Sequence, residues 1–215
     1  MAKKLFLVIG APGSGKTTNA SLIAQRHKEH IVNYSMGDML RDEIACGSKR
    51  GKMISSYIKK GELVPLDIIM DTMIMAIKYA PTEVVMIDGF PRSVEQMKVF
   101  DALLSQEEEI ELVSVIEIEV GEETARKRIS DRATEAAPGQ IRSDDREEVF
   151  FERMKIYAES LEEIEAFYKE KRLLKVIDGE KALDIVVSMI ELFVLSRTSV
   201  PSMYISNDSY RSVRI

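Results

Sequence analysis

Short apolar runs alternate along the chain with longer segments whose apolar residues recur at helical spacing. Each short run predicts a strand; the first is apolar throughout, which indicates burial on both faces, and the fourth alternates in part. The predicted strands lie at residues 5–9, 31–35, 84–87, 112–120 and 173–177. The predicted helices between them lie at residues 16–28, 93–104, 122–131, 145–171 and 181–195. This alternation is typical of a three-layer α/β fold with a central five-stranded parallel sheet.

Two segments interrupt that alternation. Residues 36–79 contain no strand-like run and predict several short helices, separated by Gly47, Gly51 and a turn at residues 61–65. Residues 133–141 have few large side chains and predict a loop. Insertions of this kind on a parallel sheet often carry substrate sites or lids.

We therefore expect one domain at residues 1–195, with a helical insertion at about 36–65 and a short lid at about 133–141. Residues 196–215 differ in composition, since they contain six serines, show no periodicity and are interrupted by Pro201. We predict that they form a C-terminal tail, disordered or docked elsewhere.

The composition narrows the class of protein. Apolar residues make up 45% and charged residues 31% of the chain, an ordinary mixture for a globular domain. The net charge of −6 argues against nucleic acid or an anionic membrane as a partner, so an anionic ligand needs a local cluster of cations. Cys46 is the only cysteine, which excludes a disulfide framework and a cysteine-rich zinc site.

The chain has no apolar stretch near the length of about 20 residues that a membrane span needs. Its first ten residues lack the apolar centre and cleavage site of a signal peptide. The sequence gives no firm sign of oligomerisation. The expectation is a cytoplasmic monomer.

A phosphate-binding motif follows the first predicted strand and opens the first predicted helix. It fits the pattern G-x-x-x-x-G-K-[ST] and comprises Gly10, Ala11, Pro12, Gly13, Ser14, Gly15, Lys16 and Thr17. Its glycines let successive backbone N–H groups turn towards phosphate oxygens at a helix N-terminus. Lys16 supplies a full charge to the β and γ phosphates, and the Thr17 hydroxyl is a candidate Mg²⁺ ligand.

Many classes of protein carry such a loop, and absent motifs exclude some of them. No asparagine in the chain is followed by lysine, so the guanine-reading Asn-Lys-x-Asp motif of GTPases is missing. The Leu-Ser-Gly-Gly motif of transport ATPases is missing as well. The sequence therefore argues against a GTPase and against a transport ATPase.

Two further stretches follow the second and third predicted strands, Ser-Met-Gly-Asp-Met-Leu-Arg at residues 35–41 and Asp-Gly-Phe-Pro-Arg-Ser-Val-Glu-Gln at 88–96. Because parallel strands end at the same edge of a sheet, both stretches should face the same crevice as the phosphate loop. Asp88 closes an apolar run, the position of the magnesium-associated aspartate in phosphate-loop enzymes. Arg41 and Arg92 are candidates to bind a second phosphate group.

Together with Gly-Glu-Leu-Val-Pro at residues 61–65 and Arg-Ser-Asp-Asp-x-x-Glu at 142–148, these motifs make residues 4–195 resemble the adenylate kinase family of nucleoside monophosphate kinases. The loop at 133–141 is similar to the family's compact lids, which lack the four-ligand zinc site of some longer lids. The resemblance implies reversible, Mg²⁺-dependent transfer of a phosphoryl group from ATP to AMP, giving two ADP, with no zinc. Its partners would be these small molecules.

The resemblance also implies roles for individual residues. Those that would bind ATP are Gly10, Ala11, Pro12, Gly13, Ser14, Gly15, Lys16, Thr17, Thr18, Arg128 and Lys181. Those that would bind AMP are Met36, Arg41, Gly61, Glu62, Leu63, Val64, Gly89, Phe90, Arg92, Gln96, Arg142 and Arg153. The catalytic cations would be Lys16, Arg92, Arg132, Arg142 and Arg153. Mg²⁺ would be held by Thr17 and Asp88, mostly through water, and Asp144 and Asp145 would hold the arginines in place.

Several of these residues have other interpretations. Ser93 and Gln96 fit a helix capping box, so Gln96 either supports the helix or, as we favour, reads the adenine edge. Any one of the arginines, taken alone, fits a solvated charged surface. His27 and His30 lie far from the motifs, and we predict surface roles for them rather than metal binding.

One position departs from the family pattern. The family usually has threonine in Ser-Thr-Gly-Asp, and this chain has Met36, whose thioether cannot donate a hydrogen bond to the acceptor base. A UMP/CMP kinase is therefore the nearest alternative, although Gln96 favours AMP. A non-catalytic nucleotide-binding regulatory protein is a second alternative, against which the complete set of cations argues.

Overall fold

The computed structural model describes residues 2–135, 142, 144 and 146–201. Its strands are β1 (Lys3–Ile9), β2 (Ile31–Ser35), β3 (Val84–Asp88), β4 (Ile110–Glu119) and β5 (Leu174–Asp178). Its helices are α1 (Lys16–Arg26), α2 (Met36–Ala45), α3 (Lys49–Ile58), α4 (Leu66–Lys78), α5 (Val94–Leu104), α6 (Glu122–Glu135), α7 (Glu147–Glu170) and α8 (Leu183–Ser196). The predicted strands and helices are confirmed to within a few residues at their ends.

The five strands form one parallel sheet in the order β2-β3-β1-β4-β5. Successive residues of β1 point to opposite faces, so Leu5, Leu7 and Ile9 belong to one core cluster and Phe6 and Val8 to the other. Helices α1 and α8 cover the second face, and the insertion helices with α4, α5 and α7 cover the first. The predicted three-layer α/β fold is confirmed.

The strand order places the ends of β1 and β3 side by side, with Val8 paired to Asp88. The chain leaves β1 towards β2 on one side of the sheet and later crosses to β4 on the other. A reversal of this kind opens a crevice at the carboxyl ends of the strands, where ligands bind in open α/β sheets. The loops after β1 and β3 border this crevice.

The segment at residues 36–79 folds into α2, α3 and α4, as predicted, but Gly51 does not separate two of them. It lies within α3, where an added Cβ would be 2.3 Å from the carbonyl oxygen of Glu43 in α2. Glycine is therefore present because the two helices cross closely, and its usual role as a helix breaker gave the wrong prediction.

Two other predictions differ from the structure, one for His27 and one for the beginning of the lid. His27 is buried rather than on the surface, and its Nε2 lies 2.7 Å from Oε1 of Glu191. Helix α6 continues through Glu135, so the first residues of the predicted lid are helical. The rest of the lid at 136–141, Asp145 and residues 202–215 of the predicted tail lie outside the described residues. The domain bounds stay a prediction.

No helix in the described part of the chain is both long enough and apolar enough to cross a membrane. Among the same residues, no group of three or more histidine, cysteine, aspartate or glutamate side chains is placed to hold a metal ion.

A buried carboxyl group interrupts the core beneath α7. Glu117 in β4 is 2% exposed, and its Oε1 accepts a hydrogen bond of 3.1 Å from the Tyr157 hydroxyl, while its Oε2 has no hydrogen-bond partner among the described residues. Burial, followed by the charge of Glu165, raises the pKa of Glu117 from 4.5 to about 7. Glu117 therefore ionises at a higher pH in the folded protein than in the unfolded chain.

This gives a prediction for stability. The pKa of Glu117 is higher in the folded than in the unfolded state. Glu117 therefore destabilises the folded protein increasingly as the pH rises from about 4.5 to about 7, and by a constant amount above that. Glu117→Gln should raise the free energy of unfolding by about 3 kcal/mol at pH 8 and by little at pH 4. Urea unfolding at the two pH values measures this. Glu111→Gln, at an exposed position of the same strand, is the control, and an equal gain at both pH values would contradict the prediction.

Candidate active site

The glycine-rich segment at residues 10–17 forms a tight loop between β1 and α1. Gly10, Gly13 and Gly15 have φ angles of 141°, 85° and 89°, which residues with a side chain rarely adopt. At Gly13, a Cβ would lie 2.3 Å from the carbonyl oxygen of Ala125, so the loop packs directly against α6. A loop curled in this way at a helix N-terminus is suited to bind an anion.

Lys16 lies over this loop. Its Nζ donates hydrogen bonds to the carbonyl oxygens of Gly10 and Ala11, at 2.8 and 2.7 Å, and to Oγ of Ser14 at 3.2 Å. Burial lowers the pKa of Lys16 to about 7; the Asp88 carboxylate opposes this effect and three nearby arginines add to it. An anion bound here would restore the charge of the ammonium group.

Asp88 at the end of β3 is 2% exposed, and burial raises its pKa. Its Oδ1 accepts a hydrogen bond of 2.7 Å from the Thr17 hydroxyl, and its Oδ2 accepts one of 3.3 Å from Nδ2 of Asn33. The Thr17 hydroxyl is also 3.5 Å from that of Ser35. Carboxylate and hydroxyl oxygens at the edge of a water-accessible cavity suit Mg²⁺, which binds few protein ligands and keeps several waters.

Arginines and aspartates from α2, α7 and the segment before α7 form an ionic network opposite the loop. Arg41 donates to Oδ1 of Asp38 from Nη2 at 2.6 Å, and Nη2 of Arg142 approaches the same oxygen at 3.5 Å. Arg153 donates from Nη1 to Oδ2 of Asp144 at 2.6 Å. Burial alone would raise the pKa of Asp144, but the charges of Arg153 and Arg41 outweigh it and hold the pKa below its ordinary value.

A cavity of about 780 Å³ lies between the phosphate loop and this network. Fifteen of the predicted site residues line it: Pro12, Gly13, Gly15, Lys16, Thr17, Thr18, Arg41, Asp88, Gly89, Arg92, Arg128, Arg132, Arg142, Arg153 and Lys181. Ala11 and Ser14 also belong to the loop, but their side chains are buried. The predicted arginines therefore line the same cavity as the glycine-rich loop, and their roles towards the nucleotides stay a prediction.

A second, smaller cavity adjoins the first. It is lined by eleven of the predicted acceptor residues: Met36, Arg41, Gly61, Glu62, Leu63, Val64, Gly89, Phe90, Arg92, Gln96 and Arg153. Its volume of about 30 Å³ has room for only a few waters. A planar base therefore needs its walls, which include α2 and the turn at 61–64, to move apart.

Gln96 combines the two interpretations of the sequence. Its backbone N–H donates to Oγ of Ser93 at 3.1 Å, which is the predicted cap of α5. Its side-chain Oε1 accepts from the backbone N–H of Arg92 at 2.8 Å, so the amide is fixed while it lines the smaller cavity. The arrangement is compatible with base recognition, which stays a prediction.

The opposite end of the large cavity is bordered by α6 and the connection from β5 to α8. Arg128 donates from Nη1 to the carbonyl oxygen of Ser14 at 3.3 Å and from Nη2 to that of Gly179 at 2.9 Å. Lys181 is exposed and lies 3.9 Å from a carboxylate oxygen of Asp178. Arg128 thus connects the phosphate loop to the connection after β5.

No role was predicted for Asn33, which contacts Asp88 from the neighbouring strand. Its polar side chain within an apolar strand is a pattern that could have indicated a site residue. The contact itself depends on strand order, since β2 and β3 are adjacent in the sheet with Ser35 paired to Asp88.

Comparison with known proteins gives one consistent family. The family model described as adenylate kinase matches residues 8–173. An adenylate kinase of Sulfurovum sp. (strain NBC37-1) is 62% identical over 195 residues, covering 91% of this chain and 99% of the relative. An adenylate kinase of Campylobacter jejuni (strain RM1221) is 54% identical over 191 residues, covering 88% and 96%. One of Helicobacter hepaticus is 50% identical over 192 residues, covering 89% and 97%.

Proposed function

This chain belongs to the adenylate kinase family, and from that premise we propose which residues bind each substrate and which stabilise the transferred phosphoryl group. The protein is a phosphotransferase that moves the terminal phosphoryl group of ATP to AMP, reversibly, giving two ADP. We assign the large cavity to ATP and the smaller one to AMP.

One observation carries this assignment. Arg41, Arg92 and Arg153 line both cavities, so the phosphates of two nucleotides that enter from opposite ends would meet at these guanidinium groups. Guanidinium groups bind phosphate oxygens in bidentate fashion, and converging cations offset the repulsion between two polyanions. Lys16 faces the same point from the phosphate loop.

In the proposed step, an oxygen of the AMP phosphate attacks the γ-phosphorus of ATP in line with the bridging oxygen. A bond forms between the AMP oxygen and the γ-phosphorus, and the bond between the γ-phosphorus and the β–γ bridging oxygen breaks. The bridging oxygen stays with the donor, so both products are ADP. Charge on the moving phosphoryl group is stabilised by Lys16, Arg132, Arg142 and Arg153, and no covalent protein intermediate forms. Catalysis on this account consists of positioning and electrostatic stabilisation.

Thr17 and Asp88 would hold Mg²⁺ through their oxygens, mostly by way of water. When bound, the ion neutralises charge on the β and γ phosphates. The 2.7 Å hydrogen bond between the two side chains fixes their oxygens side by side at the cavity wall. We assign no zinc to the protein.

We further propose that the insertion at about 36–65 closes over AMP and that the lid at about 133–141 closes over ATP. Closure would keep water from the transferring phosphoryl group, which water could otherwise accept. The protein would act as a monomer in the cytoplasm on small nucleotides, without a nucleic acid or membrane partner.

Another prediction concerns which nucleoside monophosphate is the acceptor. The buried Met36 lines the acceptor cavity and cannot donate a hydrogen bond, but Gln96 can still pair with an adenine edge. We expect AMP to be phosphorylated faster than UMP or CMP. Met36→Thr should lower KM for AMP about fivefold, the usual worth of one hydrogen bond.

The test is a coupled assay of ADP formation with each monophosphate at saturating ATP. Faster turnover of UMP or CMP would overturn the assignment of AMP as acceptor. Absence of AMP-dependent ADP formation would favour a non-catalytic nucleotide-binding protein. Two adenosines joined by five phosphates should bind tightly, because the compound spans both cavities, and should compete with both substrates.

A further inference from the structure

The connection from β5 to α8 at residues 179–182, called here the donor loop, is closely packed. At Gly179, a Cβ would lie 2.6 Å from Cγ2 of Ile118 and 2.7 Å from Cγ1 of Val120. The backbone N–H of Gly179 donates to the carbonyl oxygen of Glu119 at 2.8 Å. The backbone of the loop therefore lies directly against the end of β4.

Glu180 attaches the same loop to the beginning of α6. Its Oε1 accepts a hydrogen bond of 2.7 Å from the backbone N–H of Gly121, and its Oε2 accepts one of 2.8 Å from the Thr124 hydroxyl. The hydrogen bond from Gly121 and then that from Thr124 lower the pKa of Glu180. A carboxylate at a helix N-terminus is also favoured by the helix dipole.

A second connection joins the same helix to the same loop. Arg128, one turn beyond Thr124 in α6, donates to the carbonyl oxygen of Gly179 at 2.9 Å and to that of Ser14 at 3.3 Å. Two side chains therefore hold the donor loop and α6 together, one contributed by each element. Gly179, Lys181 and Arg128 line the large cavity, whereas Glu180 is exposed.

We propose that Glu180 is a positioning residue for the donor nucleotide, which fixes the donor loop against α6 so that Gly179, Lys181 and Arg128 form a rigid wall for the adenosine of ATP. The inference rests on the proposed function, because it takes the large cavity as the ATP site. Glu180 itself does not touch the nucleotide. Without its carboxylate, ATP binding would have to order the loop, and the affinity for ATP would fall by the cost of that ordering.

The experiment compares KM for ATP and for AMP in Glu180→Ala, Glu180→Gln and the unchanged protein. Loss of two hydrogen bonds in Glu180→Ala should raise KM for ATP about fivefold or more, with KM for AMP changed less than about twofold. Glu180→Gln keeps one acceptor oxygen and should have an intermediate KM for ATP. Glu122→Ala removes an exposed carboxylate from the first turn of the same helix and is the matched control, expected to leave both KM values unchanged.

A double-mutant cycle with Arg128→Ala tests whether Glu180 and Arg128 hold the same loop. If they do, the increase in KM for ATP in the double variant should be smaller than the product of the increases in the two single variants. Equal changes in both KM values, an unchanged KM for ATP, or an equal effect of Glu122→Ala would each overturn the proposal. Failure of the unchanged protein to form ADP from ATP and AMP would instead contradict the proposed function.

Discussion

Lys16→Met is expected to lower kcat/KM for ADP formation about a thousandfold or more, equivalent to about 4 kcal/mol of transition-state stabilisation. Methionine keeps most of the length of the side chain but removes the charge. Lys16 faces the large cavity from the glycine-rich loop, where burial lowers its pKa to about 7 and a bound phosphate would keep it charged. Its ammonium group also bonds two loop carbonyl oxygens, so the substitution removes both a cation and a constraint on the loop.

Steady-state kinetics with both substrates varied measures this effect. Lys98→Met is the matched control, because Lys98 lies in α5 and forms an exposed ion pair of 2.8 Å with Glu163. Such surface pairs contribute little, so the control should retain full activity. Lys16→Arg tests geometry, since the planar guanidinium cannot reproduce the contacts of a compact ammonium group. A loss in Lys16→Met of less than about tenfold would contradict the proposed role.

Arg153→Ala is expected to reduce both activity and stability. Its guanidinium forms the 2.6 Å ion pair with Asp144, which is 6% exposed. Removing one partner of a buried pair leaves the other charge uncompensated and costs about 3 kcal/mol of unfolding free energy. Another cation of the network, Arg41, is 3.7 Å from the other oxygen of Asp144 and should reduce this cost only in part. We expect kcat to fall about a thousandfold.

The two effects can be separated with Asp144→Asn. In the double variant Arg153→Ala/Asp144→Asn the buried charge is gone, so urea unfolding should show most of the lost stability regained. Activity should not return, because the phosphates still lack the Arg153 cation. If the double variant recovered kcat as well, Arg153 would be a structural partner of Asp144 rather than a group that contacts phosphate.

The secondary structure was predictable because its determinants are local. An uninterrupted apolar run such as residues 84–87 favours a buried strand when it is this short, and β3 has all five of its residues buried. Helix ends were less well predicted. The helix predicted to begin at residue 145 is observed from Glu147 to Glu170, since capping and packing against neighbours decide the last turns.

The errors concern residues whose environment is supplied by another helix of the fold. Gly51 looks like a helix breaker until α2 is placed against it, and His27 looks like a surface residue until α8 brings Glu191 to its ring. Residue type sets the local preference, and tertiary packing overrides it when the gain is larger.

The amino-acid sequence by itself determined the strands and helices, the glycine-rich loop and the arginines that surround it, because each is carried by a local pattern or a motif of fixed spacing. The tertiary structure alone decided the contacts that orient those residues: Asn33 on Asp88, Asp144 between Arg41 and Arg153, and Glu180 on the start of α6. The reason is that these hydrogen bonds and ion pairs join segments that are separate in the chain and are brought together by folding, around a sheet with the strand order β2-β3-β1-β4-β5. Spacing along the chain does not specify which segments that order brings together.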